Sequence, residues 1–141
     1  LSRMIAADGE GATRLVECTV SGARNKEQAR VIAKSVICSS LMKTAIFGAD
    51  ANWGRALCAI GYAPVDVDVD KIDMAFASSA GVLPVCEAGT GIPFSEEIAK
   101  EILSQPEVKL LIDLNDGEEQ AIAWGCDLTY DYVRINGDYR T

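Results

Sequence analysis

The stretch Lys43–Arg55, KTAIFGADANWGR, gathers a lysine, an arginine, an aspartate, an asparagine, a threonine and a tryptophan between two apolar helical patterns. One pattern ends at Met42 and the other begins at Trp53. Such a junction holds polar groups and open backbone rigidly, as a binding site requires. The plainer alternative is a tight interhelical turn in which Asp50 or Asn52 caps the next helix. Upstream, Glu10 stands between Gly9 and Gly11, where a sharply turning backbone could aim a carboxylate into a cleft; a solvated turn carboxylate is the commoner outcome. These glycines do not complete a GxGxxG fingerprint, because Arg14 takes its last position. Asp66, Asp68 and Asp70 alternate with Val65, Val67 and Val69. On a strand the three carboxylates would share a face and offer oxygen ligands to a hard cation. With no further oxygen ligand nearby, a solvated edge or turn is favoured.

The chain contains no histidine. A Ser-His-Asp or Cys-His centre and an imidazole-based zinc site cannot be assembled within it, so acid–base work would fall to carboxylates, lysine, tyrosine or an amine. The five cysteines, Cys18, Cys38, Cys58, Cys86 and Cys126, are widely spaced and include no CxxC pair. Each lies in an apolar pattern, which points to buried, reduced thiols in a cytosolic protein. A net charge of −8 with scattered basic residues disfavours nucleic acid and anionic membranes as partners. No apolar run approaches the ~18 residues of a membrane span, and no secretory signal pattern is visible. At 141 residues, 49% hydrophobic and 24% charged, the chain is one domain's worth and can bury a core without disulfides or metals.

Leu1, Met4 and Ile5 fall at helical spacing with no cap before them, so the chain is expected to begin inside a helix and to be the C-terminal piece of a longer protein. Arg14–Ser21 alternates, with Val16, Cys18 and Val20 facing a core and Glu17, Thr19 and Ser21 facing away. Asn25, with Gln28 in capping-box spacing, opens a helix whose stripe runs through Ala29, Ile32, Ala33, Val36, Ile37 and Leu41. The small residues Ser35, Ser39 and Ser40 permit close packing. Trp53, Ala56, Leu57 and Ile60 form the next stripe, and Gly61 suits its end. Lys71–Phe76 and Val82–Cys86 read as strands about a turn at Ser78–Gly81, and Gly89–Pro93 as a loop. Ser95 caps a helix with Glu96 and Glu97 in its first turn, ended by Pro106. Val108, Leu110, Ile112 and Leu114 alternate, Asn115-Asp116-Gly117 is a hairpin signal, and Gln120–Trp124 returns. Cys126–Thr141 reads as a short helix capped near Asp127, then a polar tail. The expected fold is a single α+β domain, with a mixed, mostly antiparallel sheet packed with helices.

With DGEGAT (8–13), MKTAIFGADANWGR (42–55) and CDLTYDYVRINGDYRT (126–141), the chain resembles the ornithine acetyltransferase family, the bifunctional ArgJ proteins of arginine biosynthesis. The matches lie at its start, middle and end, in the family's order. The resemblance implies that residues 1–141 are the C-terminal part of the family's β chain, without the α chain and without the β-chain N-terminus. It implies a precursor that cleaves itself before a threonine. That threonine takes acetyl from N-acetylornithine and passes it from an acetyl-enzyme to glutamate; some members also use acetyl-CoA. No other cofactor and no metal is implied. An N-terminal threonine works without histidine, because an amine or water takes the hydroxyl proton. The alanine–threonine cleavage motif lies upstream of Leu1 in the family, so no catalytic residue is expected in this chain, and the chain alone is expected to be inactive. By resemblance it supplies part of the substrate pocket: Glu10, Asn136 and Thr141. A carboxylate suits the ammonium of ornithine, and an amide and a hydroxyl suit an amino-acid carboxylate. Lys43, Asp50, Asn52 and Arg55 match a signature and stay outside that set. The implied assembly is a cytoplasmic hetero-tetramer of two α and two β chains. A related self-processing aminopeptidase and a free-standing amino-acid-binding regulatory domain are the competing readings.

Overall fold

A computed structural model describes residues 14–127. Alternation of apolar and polar side chains produces β1 (Leu15–Ala23), with Val16, Cys18 and Val20 buried and Glu17, Thr19 and Ser21 partly covered. Asn25 then caps α1 (Lys26–Ile37), its Oδ1 accepting from Gln28 N at 2.8 Å. Gln28 Oε1 accepts in turn from Arg24 N at 2.8 Å, one residue further back than the reciprocal bond of a capping box.

The α1 stripe does not continue to Leu41. The chain breaks at Cys38 and restarts as α2 (Ser40–Phe47), with Ser39 Oγ accepting from Met42 N at 3.2 Å. Ser39 thus acts as a cap rather than a packing residue, because its hydroxyl competes for backbone donors, and Leu41 is left 64% exposed. Lys43–Phe47 is helical rather than part of an irregular junction, with Ala45 and Ile46 in the core. Asp50 N bonds Ala45 O at 2.9 Å and Ala49 N bonds Ile46 O at 3.0 Å, the paired bonds that close a helix on a left-handed residue. Ala49, at φ 53, is that residue. Asn52 Oδ1 accepts from Arg55 N at 3.1 Å and caps α3 (Trp53–Tyr62). Gly61 lies inside α3, and Ala63 is its C-cap.

Asp66, Asp68 and Asp70 do not form a strand. Arg24 Nη2 and Gln28 Nε2 both donate to Asp66 O, at 2.8 and 2.7 Å, and the segment ends in a 3-10 turn, Val69–Lys71. Asp68 Oδ1 accepts from Asp70 N at 3.1 Å. Backbone capture by the start of α1 takes the place of ladder pairing, and among the described residues no group of three or more carboxylates and thiols could hold a metal ion. β2 (Asp73–Ser78), β3 (Gly81–Glu87), the short β4 (Thr90–Gly91), α4 (Glu96–Leu103), β5 (Glu107–Asp113) and β6 (Glu119–Cys126) follow. β4 lies in the segment expected to be a plain loop.

The strands form one six-stranded sheet in the order β4-β3-β2-β5-β1-β6. The β1–β5 pair is parallel and the other four pairs are antiparallel, so the fold is α+β with a mixed, mostly antiparallel sheet. The expected hairpin between β5 and β6 is absent. Both flanks of β5 are taken, by β1 and β2, so β6 has no edge of β5 to pair with. The turn after β5 wraps the end of β1: Leu114 N bonds Ser21 O at 2.9 Å and Asp116 N bonds Gly22 O at 2.8 Å. Gly117 lies so close to β1 that a β-carbon there would stand 2.2 Å from Ala23 O. β6 then lands on the far side of β1.

The helices pack on one sheet face, where Cys18, Phe76, Val85, Leu110 and Ile112 join Ile32, Ile60, Ile102 and Leu103 in a continuous core. The other face, with Thr19, Ala75, Pro84 and Leu111, carries no layer among the described residues. Cys18 and Cys86 are buried as expected, but Cys38 and Cys58 are exposed and Cys126 is intermediate. Cys38 and Cys58 sit beside their helices' buried stripes, not on them.

Candidate functional site

Glu10, Asn136 and Thr141 lie outside the described residues. What the structure places is the frame from which their segments depart. β1 begins where β6 ends, and Leu15 is the cross-strand partner of Cys126. One step beyond that pair, Arg14 N donates to Asp127 Oδ1 at 2.9 Å and Asp127 N donates to Arg14 O at 3.2 Å. The Arg14 guanidinium then reaches two ways: Nη1 lies 3.5 Å from Asp127 Oδ2 and donates to Phe47 O at 3.0 Å. Phe47 ends α2, so the guanidinium also satisfies a carbonyl that the helix leaves open. Asp127 is fully buried, and the Arg14 side chain is 17% exposed. Arg14 therefore joins the three stretches that carry the resemblance: it directly follows 8–13, bonds into 42–55 at Phe47, and bonds into 126–141 at Asp127. The short helix expected to be capped near Asp127 lies outside the described residues. Periodicity gives no sign of this pairing; the available signal is that both residues border or belong to matched stretches.

Asp50, Asn52 and Arg55 of the central signature serve the fold. Asn52 caps α3 and donates from Nδ2 to Asp50 Oδ2 at 3.1 Å. Arg55 Nη1 donates to Leu41 O at 2.9 Å, tying α3 to α2. The indole of Trp53 packs on Gly91 of β4, where a β-carbon would stand 2.2 Å from Cζ2. These contacts favour the interhelical-turn reading of 48–55.

A groove of about 510 Å³ runs across the open sheet face, lined by Thr19, Ser21, Ala75, Pro84, Leu111 and Gln120 among others. Asp73 and Asp113, cross-strand partners, stand at one end. Asp73 Oδ1 accepts from Ala88 N at 2.9 Å and Oδ2 from Asn115 Nδ2 at 3.0 Å. Asp113 Oδ1 accepts from Asn115 N at 2.9 Å. Both carboxylates are thus engaged in holding the turn that carries the chain past β1. On the same face Glu17 is not an idle surface carboxylate: Oε1 accepts from Trp124 Nε1 at 2.9 Å and Oε2 lies 3.7 Å from Lys109 Nζ. The buried thiols offer no nucleophile near neutrality. Burial and then the Glu17 charge push the Cys18 thiol up to about 12. Burial and then the Asp73 charge raise Cys86, against a lowering hydrogen bond from the Gly89 backbone.

The ArgJ family model matches residues 1–141. Proteins named arginine biosynthesis bifunctional protein ArgJ, from Caldanaerobacter subterraneus subsp. tengcongensis and from Thermotoga neapolitana, are 52% and 50% identical to this chain over 141 residues, which is all of this chain and 35% and 36% of theirs. The crystal structure of the arginine biosynthesis bifunctional protein ArgJ from Bacillus halodurans is similar at a TM-score of 0.90 and 47% identity, over 97% of this chain and 63% of that one. The chain spans about a third of the length of the curated relatives it matches, and the shared part is their C-terminal portion.

Proposed function

The chain belongs to the ArgJ family, and from that premise we propose that it is the C-terminal part of the β chain of an enzyme that moves acetyl from N-acetylornithine to glutamate in the cytoplasm. In this reading a threonine upstream of Leu1, freed by self-cleavage, attacks the acetamide carbonyl of N-acetylornithine. The C–N bond breaks, the departing amine of ornithine takes a proton, and an acetyl ester remains on the threonine. The amine of glutamate attacks that ester, the threonine hydroxyl recovers a proton, and N-acetylglutamate leaves. Acetyl-CoA can replace N-acetylornithine as donor in the first step. This chain contributes Glu10, Asn136 and Thr141 to the substrate pocket, and an α chain and a second αβ pair complete the assembly. Alone it has no acetyltransferase activity.

The observation that carries this reading is the convergence at Arg14, which brings the flanks of all three matched stretches to one corner. A second feature supports a partial chain over a free-standing regulatory domain. The open face is apolar at Ala75, Pro84 and Leu111, and leaving such a face in water forfeits about 25 cal/mol for each Å² of apolar surface. The upstream part of the family protein, absent here, is the occupant we assign to that face.

The test is Glu10→Gln in the complete, processed protein. If the carboxylate meets a substrate ammonium, its loss costs about 2 kcal/mol, or roughly 30-fold in kcat/KM. Glu101→Gln, on an exposed position of α4, is the control and should leave kcat/KM within about twofold. Equal values for the two variants would remove Glu10 from the pocket. Absence of acetyl transfer by the unmodified protein would overturn the function itself.

A further inference from the structure

We propose that the outer edge of β6 pairs, in the complete protein, with an extended segment from the part that precedes Leu1, which continues the sheet by one strand. Among the described residues β6 ends the sheet and pairs with β1 alone. Two bonds fix which of its backbone groups face outward. Leu15 N bonds Pro106 O at 2.8 Å, on the β5 side, and Asp127 N bonds Arg14 O at 3.2 Å. Alternation then turns Glu17 and Thr19 toward β5, and Gly125, Ala123 and Ala121 toward β1. The N–H and C=O groups of Ile122, Trp124 and Cys126 therefore face away from the sheet, and no hydrogen bond among the described residues reaches them. A row of donors and acceptors at strand spacing is complementary to an extended backbone.

Exposed edges in folded proteins are usually short, or guarded by lysine, proline or a bulge. The opposite edge of this sheet is guarded: β4 has two residues, Ile92 N bonds Val85 O at 3.0 Å, and β3 contains Pro84. β6 runs for eight residues, carries no charge and no proline from Gln120 to Cys126, and shifts register only at its start, opposite Val20–Ala23. The bond from Trp124 Nε1 to Glu17 Oε1 holds the middle of the strand in place, so little order is lost when a partner strand arrives. The occupant follows from what adjoins the edge. This chain matches 35% and 36% of two relatives, at their C-terminal portion, so on the reading above most of the protein lies upstream. Ile122 and Trp124, cross-strand partners of Thr19 and Glu17, stand on the open sheet face, and a strand added beside them is continuous with the upstream layer assigned to that face. Ile122, 43% exposed, offers that strand an apolar neighbour. A second copy fits less well, because each copy of this chain brings a net charge of −8.

The test is amide hydrogen exchange at single-residue resolution in the complete, processed protein. The Ala121 and Ala123 amides bond β1 and serve as the internal reference. With the edge paired, the Ile122 and Trp124 amides should exchange within about tenfold of that reference; faster exchange means an open edge and overturns the proposal. The occupant is read by photo-cross-linking from p-benzoylphenylalanine placed at Ile122, mapped by mass spectrometry. A cross-linked peptide from upstream of Leu1 is expected. A cross-link to a second copy, or to this chain's own residues 1–13 or 128–141, overturns the assignment. Should that variant fail to fold, the same probe replaces Gln120, an exposed residue of β6. Fast Ile122 and Trp124 amides beside a destabilising Leu111→Glu would leave the covered face standing and remove only the added strand. Protected amides in a protein without acetyl transfer would remove the function and leave the pairing.

Discussion

Leu111→Glu tests whether the open sheet face is covered in the complete protein. Leu111 lies on β5 between Thr19 of β1 and Ala75 of β2, its cross-strand partners, and is only partly covered by the described residues. If a further layer packs there, the leucine becomes a core residue whose full burial contributes about 1.5–3 kcal/mol. A glutamate would forfeit that term and bring an unpaired charge into the layer, a mechanism that costs about 3–5 kcal/mol in buried pairs that lose a partner. Asp113 adds to the penalty, because it is two positions along on the same face. At a separation of about 7 Å and an effective dielectric constant near 20, the repulsion is about 2 kcal/mol. Leu111→Lys should therefore do less damage than Leu111→Glu. The control is Ile98→Glu on α4, where the side chain is 50% exposed, and which should stay within about 0.5 kcal/mol of neutral. Denaturant midpoints of the complete, processed protein give the comparison. Indistinguishable midpoints for Leu111→Glu and Ile98→Glu would mean that the face is solvated and the docking assignment wrong.

Thiol labelling of the folded protein should modify Cys38 and Cys58 promptly and Cys18 and Cys86 only after denaturation; prompt reaction of Cys18 would contradict its burial. The Cys18 thiol, pushed up to about 12 from an ordinary value of 9.0, contributes stability that is fully present below pH 9 and is lost as pH rises toward 12. The loss is about 1.4 kcal/mol per pH unit in that window, and Cys18→Ala should flatten this part of the urea-midpoint profile. Ala49→Gly should stabilise the protein by about 0.5–1 kcal/mol, since relief of the left-handed strain of about 1–2 kcal/mol outweighs the added freedom of the unfolded chain; an unchanged or lower midpoint would refute that account.

Local chemistry made much of the fold legible. Asn25, Asn52 and Ser95 each cap the helix their positions suggest, because a short polar side chain before an apolar stripe has a backbone donor within reach. The alternation at Val16, Cys18 and Val20 and again at Val108, Leu110 and Ile112 gave both core strands their faces. What sequence alone could not supply was competition between neighbours. Ser39 stops a helix that its apolar spacing would have carried to Leu41. Val65–Asp70 has the alternation of a strand, yet Arg24 and Gln28 claim the carbonyl of Asp66. Cys38 and Cys58 belong to apolar helices but face outward. Glu17 points away from the core, yet Trp124 and Lys109 hold it. For Asp66 and Glu17 the deciding partner is distant in the chain.

The candidate site depends on the one topological feature that local signals misplace. Asn115-Asp116-Gly117 has the composition of a hairpin turn, and a hairpin would set β6 against β5. With β1 on one side of β5, that β6 would have to lie on the other, and the end of β6 would emerge two strand spacings from the start of β1. At about 4.8 Å per spacing the separation is about 10 Å, too far for Arg14 and Asp127 to share any hydrogen bond. Asn115 and Gly117 prevent this arrangement. Asn115, at φ 51, turns the chain and donates to Lys71 O and Asp73 Oδ2 at 2.7 and 3.0 Å. Gly117 provides the close approach to Ala23 that lets the turn pass around β1. Arg24 secures it through Asp116, with Nε 2.9 Å from Oδ2. The crossover costs a wider turn held by charged and amide side chains, and it places the end of β6 directly beside the start of β1. The distant turn at 115–117 and the Arg14–Asp127 contact are therefore parts of one arrangement, at opposite ends of β1.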